Sequence, residues 1–358
     1  MELKIREEIL NAYGFASANI SLKQIGSGHI NRTYLLFDHI RKAQFILQNI
    51  NTDVFKDPFA IANNINAVAN YLKNTAPNYV FPAPIATVNG DLMCCEHNAY
   101  WRLLPFISHT IALDSLTDPN QAYEAAKQFG MLSKLLKDFD ASNLKPTIQG
   151  FHDLSWRYDQ FTFALANAEE KFLSTAEPEI EMAIQHHDLV AYSQSLQRSE
   201  DFPTRVMHHD TKISNVLLDA KDNHGICVID LDTLMPGKFV SDLGDMMRTY
   251  LCAYAENETD LTKVILRFPY FEATIKGYLS EMAEVLTAKE KEMILFSGKH
   301  IIYMQALRFL TDFLSGSTYY PISYASQNLD RAKNQFKLLS ELFENEKVLE
   351  GIIQKCLS

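Results

Sequence analysis

The chain's 358 residues suit about two domains of roughly 150 residues and suffice for a sizeable core, which excludes a disordered tail or a disulfide miniprotein. With 33 Lys and Arg against 44 Asp and Glu, the net charge of −11 would repel duplex nucleic acid, so no nucleic-acid partner is expected. Five cysteines without a C-x-x-C pair, a charged amino terminus and no run near the roughly 18 apolar residues of a membrane span predict a soluble cytoplasmic protein.

Glu2 to Ala12 carry Leu3, Ile5, Ile9 and Leu10 at mixed helical spacing and predict a short first helix. Leu22 and Ile25 then precede Gly26-Ser27-Gly28, and Thr33–Phe37 and Gln44–Leu47 read as strands of an antiparallel sheet. Phe59 to Leu72 is helical, with Ile61, Ile65, Val68 and Leu72 on one face and Asp57-Pro58 as its start. Ile85–Val88 and Asp91–Cys95 flank Asn89-Gly90 as a hairpin would, and Tyr100–Leu104 supplies another strand. Residues 1–105 therefore read as a small β-rich unit and 106–358 as a larger helical one, an α+β chain. In the second unit, helical periodicity covers Ala122–Leu136, Trp156–Leu173, Glu179–Leu196, Leu261–Leu286 and Lys289–Phe313, and Arg198–Pro203 reads as a loop. Three short apolar runs interrupt it: Arg205–Met207, Asn215–Asp219 and Gly225–Asp230.

The chemistry concentrates at the ends of those runs. His208-His209-Asp210-Thr211-Lys212-Ile213-Ser214-Asn215 has the spacing H-x-D-x4-N, in which an Asp meets an acceptor hydroxyl and an Asn five residues on holds magnesium. Asp and Asn commonly just make turns, so the motif gains force from Ile229-Asp230-Leu231-Asp232, where Asp230 ends an apolar strand 20 residues beyond Asp210. One carboxylate near the nucleophile and two oxygen ligands for a metal are what phosphoryl transfer requires. Lys212 is placed to stabilise charge on the moving phosphoryl group, and His208 to brace the loop. The carboxylates of Asp242-Leu243-Gly244-Asp245 read as anchors for the loop's backbone at the start of the next helix.

These residues resemble the aminoglycoside phosphotransferase and choline kinase superfamily. The wording is closest to the N-acetylhexosamine 1-kinases, through Gly26-Ser27-Gly28-His29-Ile30-Asn31, Phe45–Asn51, Asp210-Thr211-Lys212 and Ile229–Gly237. The resemblance spans residues 20 to 320 and implies a protein-kinase-like two-lobed fold that binds ATP and Mg2+ between a β-rich N-lobe and a helical C-lobe. It implies Asp210 and Lys212 as catalytic, Asn215 and Asp230 as metal ligands, and Gly26, Gly28 and Asn31 near the nucleotide phosphates. Leu103, Leu104 and Phe106 would meet the adenine, and His29, Asp210, Asp232, Thr233, Arg308 and Tyr319 the sugar. The reaction implied is phosphorylation of the anomeric hydroxyl of an N-acetylhexosamine. Kinases of another small alcohol (an aminoglycoside, choline, homoserine) and a non-catalytic nucleotide-binding regulator are the alternatives. One departure from the wider kinase pattern is that the strand lysine of V-A-I-K falls near Ile46-Leu47-Gln48, where no lysine stands.

Overall fold

The computed structural model describes residues 7–25 and 30–358. Strands β1 (Ile20–Ile25), β2 (Arg32–Asp38), β3 (Ala43–Ile50), β4 (Cys94–Glu96) and β5 (Ala99–Pro105) form an antiparallel sheet of order β1-β2-β3-β5-β4. Because strand side chains alternate, Tyr34, Leu36, Leu47, Trp101 and Leu103 share one face. They close a small core with Ile9 and Leu10 of helix α1 (Glu7–Ala12) and with Tyr13 and Phe15. The opposite face carries Gln48 and Arg102, which are directly paired across β3 and β5.

The hairpin expected around Asn89-Gly90 is only partly formed. The turn is there, with Gly90 at φ 89°, but Ile85 makes an isolated bridge to Leu103 rather than a strand with residues 91–95. Pro82 and Pro84 lack the N–H groups that a ladder needs. The hairpin lies one segment later, where β4 turns into β5 through His97 and Asn98, both left-handed at φ 49° and 60°, as a two-residue hairpin turn demands.

Helix α2 (Pro58–Thr75) starts where Asp57 accepts from the Ala60 N–H at 3.1 Å. Its stripe of Ile61, Ile65, Val68 and Leu72 joins the large helical core, not the small core of the sheet. Asn64 fixes it there, donating to the Lys145 and Leu234 carbonyls at 2.7 and 2.9 Å. The division expected at residue 105 thus separates kinds of element but not cores.

The helical part comprises α3 (Pro119–Leu135), α4 (Leu154–Asn167), α5 (Glu170–Thr175), α6 (Glu177–Gln185), α7 (Asp188–Arg198), α8 (Val240–Tyr250), α9 (Phe268–Met282), α10 (Ala288–Glu292), α11 (Ile294–Leu314), α12 (Gln327–Glu344) and α13 (Glu346–Leu357). Several expected helices are shorter or divided. The segment Trp156–Leu173 breaks at the extended Ala168, and Glu179–Leu196 breaks at His186 and His187, whose rings pack on Phe343 and Tyr158. Leu261–Leu286 begins helically only at Phe268, where Pro269 suits a first turn. Lys289–Phe313 divides at Met293. Beyond the expected helices, α12 docks on α11 through Leu329, Ala332, Phe336 and Leu339 at three- and four-residue spacing.

Strands β6 (Thr110–Ala112), β8 (Val216–Asp219) and β9 (Gly225–Val228) make a second sheet, and β7 (Arg205–Met207) pairs with β10 (Met235–Gly237). The three expected runs are therefore strands, with Asn215 in a 3-10 turn (Ile213–Asn215) and Asp230 just past β9. The architecture is α+β, an antiparallel sheet region followed by a helical part. Among the described residues no helix is long and apolar enough to cross a membrane.

Candidate active site

The loop between β7 and β8 carries His208 to Asn215, and helix α8 holds its backbone. Asp242 accepts the N–H groups of His208 and His209 through its two oxygens at 3.0 and 2.7 Å, and Asp245 accepts that of Thr211 at 2.8 Å. The Tyr250 hydroxyl donates to the Thr211 carbonyl at 2.7 Å. These bonds stabilise a left-handed residue, His209 at φ 65°, which turns the chain so that Asp210 emerges. His208 is buried; its ring Nε2 meets the Ile229 carbonyl at 2.9 Å, so the bracing expected of it is present.

Asp210 is the hub. Its Oδ2 accepts from the Lys212 ammonium at 2.8 Å and from the Asn215 amide at 2.9 Å, leaving Oδ1 unengaged among the described residues. Burial works to raise the carboxyl, but the Lys212 charge, its hydrogen bond and the Asn215 amide hold it below the usual carboxylate range. Lys212 shows the converse: burial opposes its charge, yet Asp210 and Asp230 raise its pKa. Asn215 donates its amide to Asp210, so its Oδ1 remains available, and its carbonyl accepts from the Ile229 N–H at 2.8 Å. That last bond sets the distance between the two arms of the site.

Asp230 follows in a left-handed conformation, φ 58° and ψ 56°, with its side chain exposed and without a hydrogen-bond partner among the described residues. The enclosing cleft withdraws it partly from water, and the Asp232 and Asp210 charges add to that, so its pKa rises to about 6. A carboxylate raised by its neighbours and an amide oxygen with no other engagement are hard oxygen donors, a set that fits a magnesium ion.

Asp232 is buried at 2% exposure and is held on both sides. Arg102 forms an ion pair with its Oδ1, and the Asn31 amide donates to Oδ2 at 2.6 Å. Arg102 also donates through Nε and Nη2 to Gln48 Oε1 at 2.9 and 2.8 Å, and the Gln48 amide is anchored on Thr33 Oγ1 at 3.0 Å. The Thr233 hydroxyl donates to the His208 carbonyl at 2.6 Å. Asn31, Asp232 and Thr233, expected at nucleotide or sugar, are thus engaged in internal bracing. Sequence reading missed the role of Arg102; the signal available was a charged residue inside the apolar run Tyr100-Trp101-Arg102-Leu103-Leu104, one strand away from the missing lysine.

Leu103 is buried, its carbonyl accepting from the Ile85 N–H at 2.7 Å, while Leu104 and Phe106 are half-buried where β5 ends. Gly26, Gly28 and His29 lie outside the described residues. On the other side of the catalytic loop, His152, Ser241 and His209 form a chain of hydrogen bonds behind Asp210. Phe151 stacks on His152, and the Arg308 guanidinium lies 5.5 Å from the Phe151 and Tyr320 rings. Tyr319, largely exposed, packs edge-on against Tyr320, with its N–H on Asp312 at 2.8 Å. Arg308 and Tyr319 thus share a guanidinium and aromatic cluster that adjoins His209. Arg157 belongs to it as well: burial first, then the Arg308 charge, lowers it to about 10.

An antiparallel sheet beside a helical part, with a loop Asp, an Asn five residues on and an Asp past the next hairpin, defines a kinase-like phosphotransferase. The chain belongs to the phosphotransferase enzyme family, whose model matches residues 21–267. Its fold is similar to a microcompartment-associated aminopropanol kinase, with TM-score 0.62 at 15% identity over 95% of this chain and 97% of that one. It is also similar to an aminoglycoside phosphotransferase from Alicyclobacillus acidocaldarius (TM-score 0.61, 11% identity, 98% and 96% covered). A choline kinase from Cryptosporidium parvum matches at TM-score 0.52 and 17% identity, with 95% and 93% covered.

Proposed function

We propose that the protein is an ATP-dependent kinase of a small molecule and that it phosphorylates the anomeric hydroxyl of an N-acetylhexosamine. The observation that carries the kinase reading is the convergence of Asp210, Lys212 and Asn215 on one carboxylate oxygen, with Asp230 tied to Asn215 through the Ile229 N–H. Asp210, ionised and with Oδ1 unengaged, orients an acceptor hydroxyl and takes its proton as the phosphoryl group arrives. Lys212, alongside, opposes the negative charge on the transferring group. Asn215 and Asp230 would hold magnesium, which when bound neutralises phosphate charge. A spectinomycin phosphotransferase of similar fold (TM-score 0.55, 16% identity, 98% and 97% covered) is described in complex with ADP and its substrate, which supports reading the cleft beside β5 as a nucleotide site.

The choice of acceptor rests on charge. Choline and aminoglycosides are cations and need carboxylates around them. The cluster next to His209 instead presents Arg157, Arg308, Phe151, Tyr319 and Tyr320, whose planar donors and aromatic faces suit a neutral, hydroxyl-rich acceptor with an acyl group. The test is magnesium-dependent ADP release from ATP with N-acetylhexosamines, plain hexoses, choline, homoserine and an aminoglycoside, with the product located by phosphorus NMR. Turnover of N-acetylhexosamine to an anomeric phosphate is expected. Asp210→Asn should lower that turnover by roughly 10²–10⁴-fold. Turnover of a cationic alcohol alone would keep the kinase and overturn the sugar.

A further inference from the structure

The strand position where kinases carry a lysine holds Gln48, and the buried cation of this region stands on the next strand. Arg102 is 3% exposed and Asp232 is 2% exposed. Two buried charges persist only when paired and hydrogen-bonded. Here Nη1 of Arg102 is ion-paired with Asp232 Oδ1, Nε and Nη2 donate to Gln48 Oε1, and Asp232 Oδ2 accepts from the Asn31 amide. Gln48 acts as the acceptor because its amide nitrogen is fixed on Thr33. We propose that Arg102, oriented by Gln48, tethers the sheet to the Asp230 turn and is a positioning residue for that carboxylate.

The geometry gives the tether its purpose. Asp232 lies in the 3-10 turn Leu231–Thr233 that begins directly after Asp230. The Asp230 side chain has no bonding partner among the described residues, so only the backbone on either side directs it. On one side the Ile229 N–H is held by Asn215, and on the other Asp232 is held by Arg102. Burial keeps the Arg102 guanidinium behind the cleft, which leaves Lys212, at 41% side-chain exposure, as the cation that faces it. Arginine suits this task because its planar fork directs three nitrogens at two acceptors in fixed geometry, Nε and Nη2 at Gln48 and Nη1 at Asp232, which an ammonium would not match. A lysine at 48 would remove Arg102's acceptor and set a second cation against it.

This inference rests on the kinase reading, and its test separates the two. MgADP and metal-free ADP would be titrated calorimetrically into the full-length protein and into Gln48→Lys, Arg102→Gln and the Gln48→Lys/Arg102→Gln exchange. Hydrogen exchange over residues 229–235 would be followed in each. Each single variant should weaken MgADP roughly 10- to 100-fold, the scale on which contacts outside the ligand shell tune a metal site, with little change for metal-free ADP. The exchange variant, which returns one cation to the site from the neighbouring strand, should recover most of the loss. Faster exchange at 229–235 is expected in Arg102→Gln. Tighter MgADP binding by Gln48→Lys, together with unchanged binding by Arg102→Gln, would overturn the tether. If Arg102→Gln fails to fold, Gln48→Lys and the exchange variant carry the comparison. Wild-type protein that binds neither form of ADP would remove the kinase reading, and equal exchange rates in wild type and Arg102→Gln would then remove the tether independently.

Discussion

At single residues, the molecule keeps several titratable groups buried without their charge. His300 on α11 is 1% exposed, its Nε2 is 3.1 Å from the Ser193 hydroxyl and its Nδ1 has no partner among the described residues. Burial lowers it to about 4. Between pH 6.5 and 4 the unfolded chain therefore binds a proton that the folded one refuses, so stability is lost as pH falls through that window. The total for this group is roughly 3 kcal/mol. His300→Gln should flatten the dependence of the urea midpoint on pH between 6.5 and 4, and an unchanged slope would remove His300 as its source. His209 is lowered in the same way, by burial first, so part of the acid sensitivity remains in that variant.

The residues proposed to hold metal and acceptor were also the part of the site legible in the chain, because Asp210, Asn215 and Asp230 are spaced by local constraints: one loop, one hairpin, one strand end. Arg102 and Asp232 lie 130 positions apart, and no local pattern announces that they meet. Arg205 and Glu290 are another such pair, bidentate at 2.5 and 2.9 Å with Glu290 fully buried. Glu290 also receives the Thr287 N–H in the capping box of α10. Glu290→Gln leaves a buried guanidinium without a counter-charge and should cost about 3–5 kcal/mol in denaturant unfolding.

Among elements, close approach of backbones matters as much as apolar stripes. Gly244 in α8 faces α11 so tightly that a Cβ would lie 2.2 Å from the Ser297 carbonyl oxygen. Since that neighbour is backbone, Gly244→Ala must separate the helices, at a cost of about 1–3 kcal/mol. Because α8 carries Asp242 and Asp245, which hold the His208–Asn215 loop, the variant should lose kcat of the proposed kinase as well as thermal stability. Full kcat in a destabilised variant would show that the loop tolerates the shift. Helix periodicity made α2, α3 and α9 legible, while the divisions at Ala168, at His186 and at Met293 were not, since apolar spacing runs on through each break. Strand pairing was misread where Pro82 and Pro84 precede an otherwise good hairpin sequence.

For the whole molecule, the small core of the sheet is closed, among the described residues, by α1 with Tyr13 and Phe15, and α2 is built into the helical mass through Asn64 and its apolar stripe. Composition and order along the chain could not reveal this, because α2 lies between strands in sequence while its anchors at Lys145 and Leu234 come far later. The sheet joins that mass through Ile50 and Tyr100 and, on its cleft side, through the buried side chains around Asp232. Any relative motion of sheet and helices on nucleotide binding would then leave α2 with the helices, and would be felt first at Arg102 and Asn31.

The left-handed backbone at Asp230 bears on how such a chain decays over generations. A non-glycine residue there costs about 1–2 kcal/mol, and its charge faces two other carboxylates. Glycine relieves both burdens. Asp230→Gly should therefore melt at a higher temperature than the parent while abolishing magnesium-dependent turnover, and a lower melting temperature would contradict this. A copy of the gene freed from selection for turnover, but still selected for a folded product, is pushed downhill at this codon. On the proposed function, aspartate at 230 is kept for its chemistry against the preference of the fold.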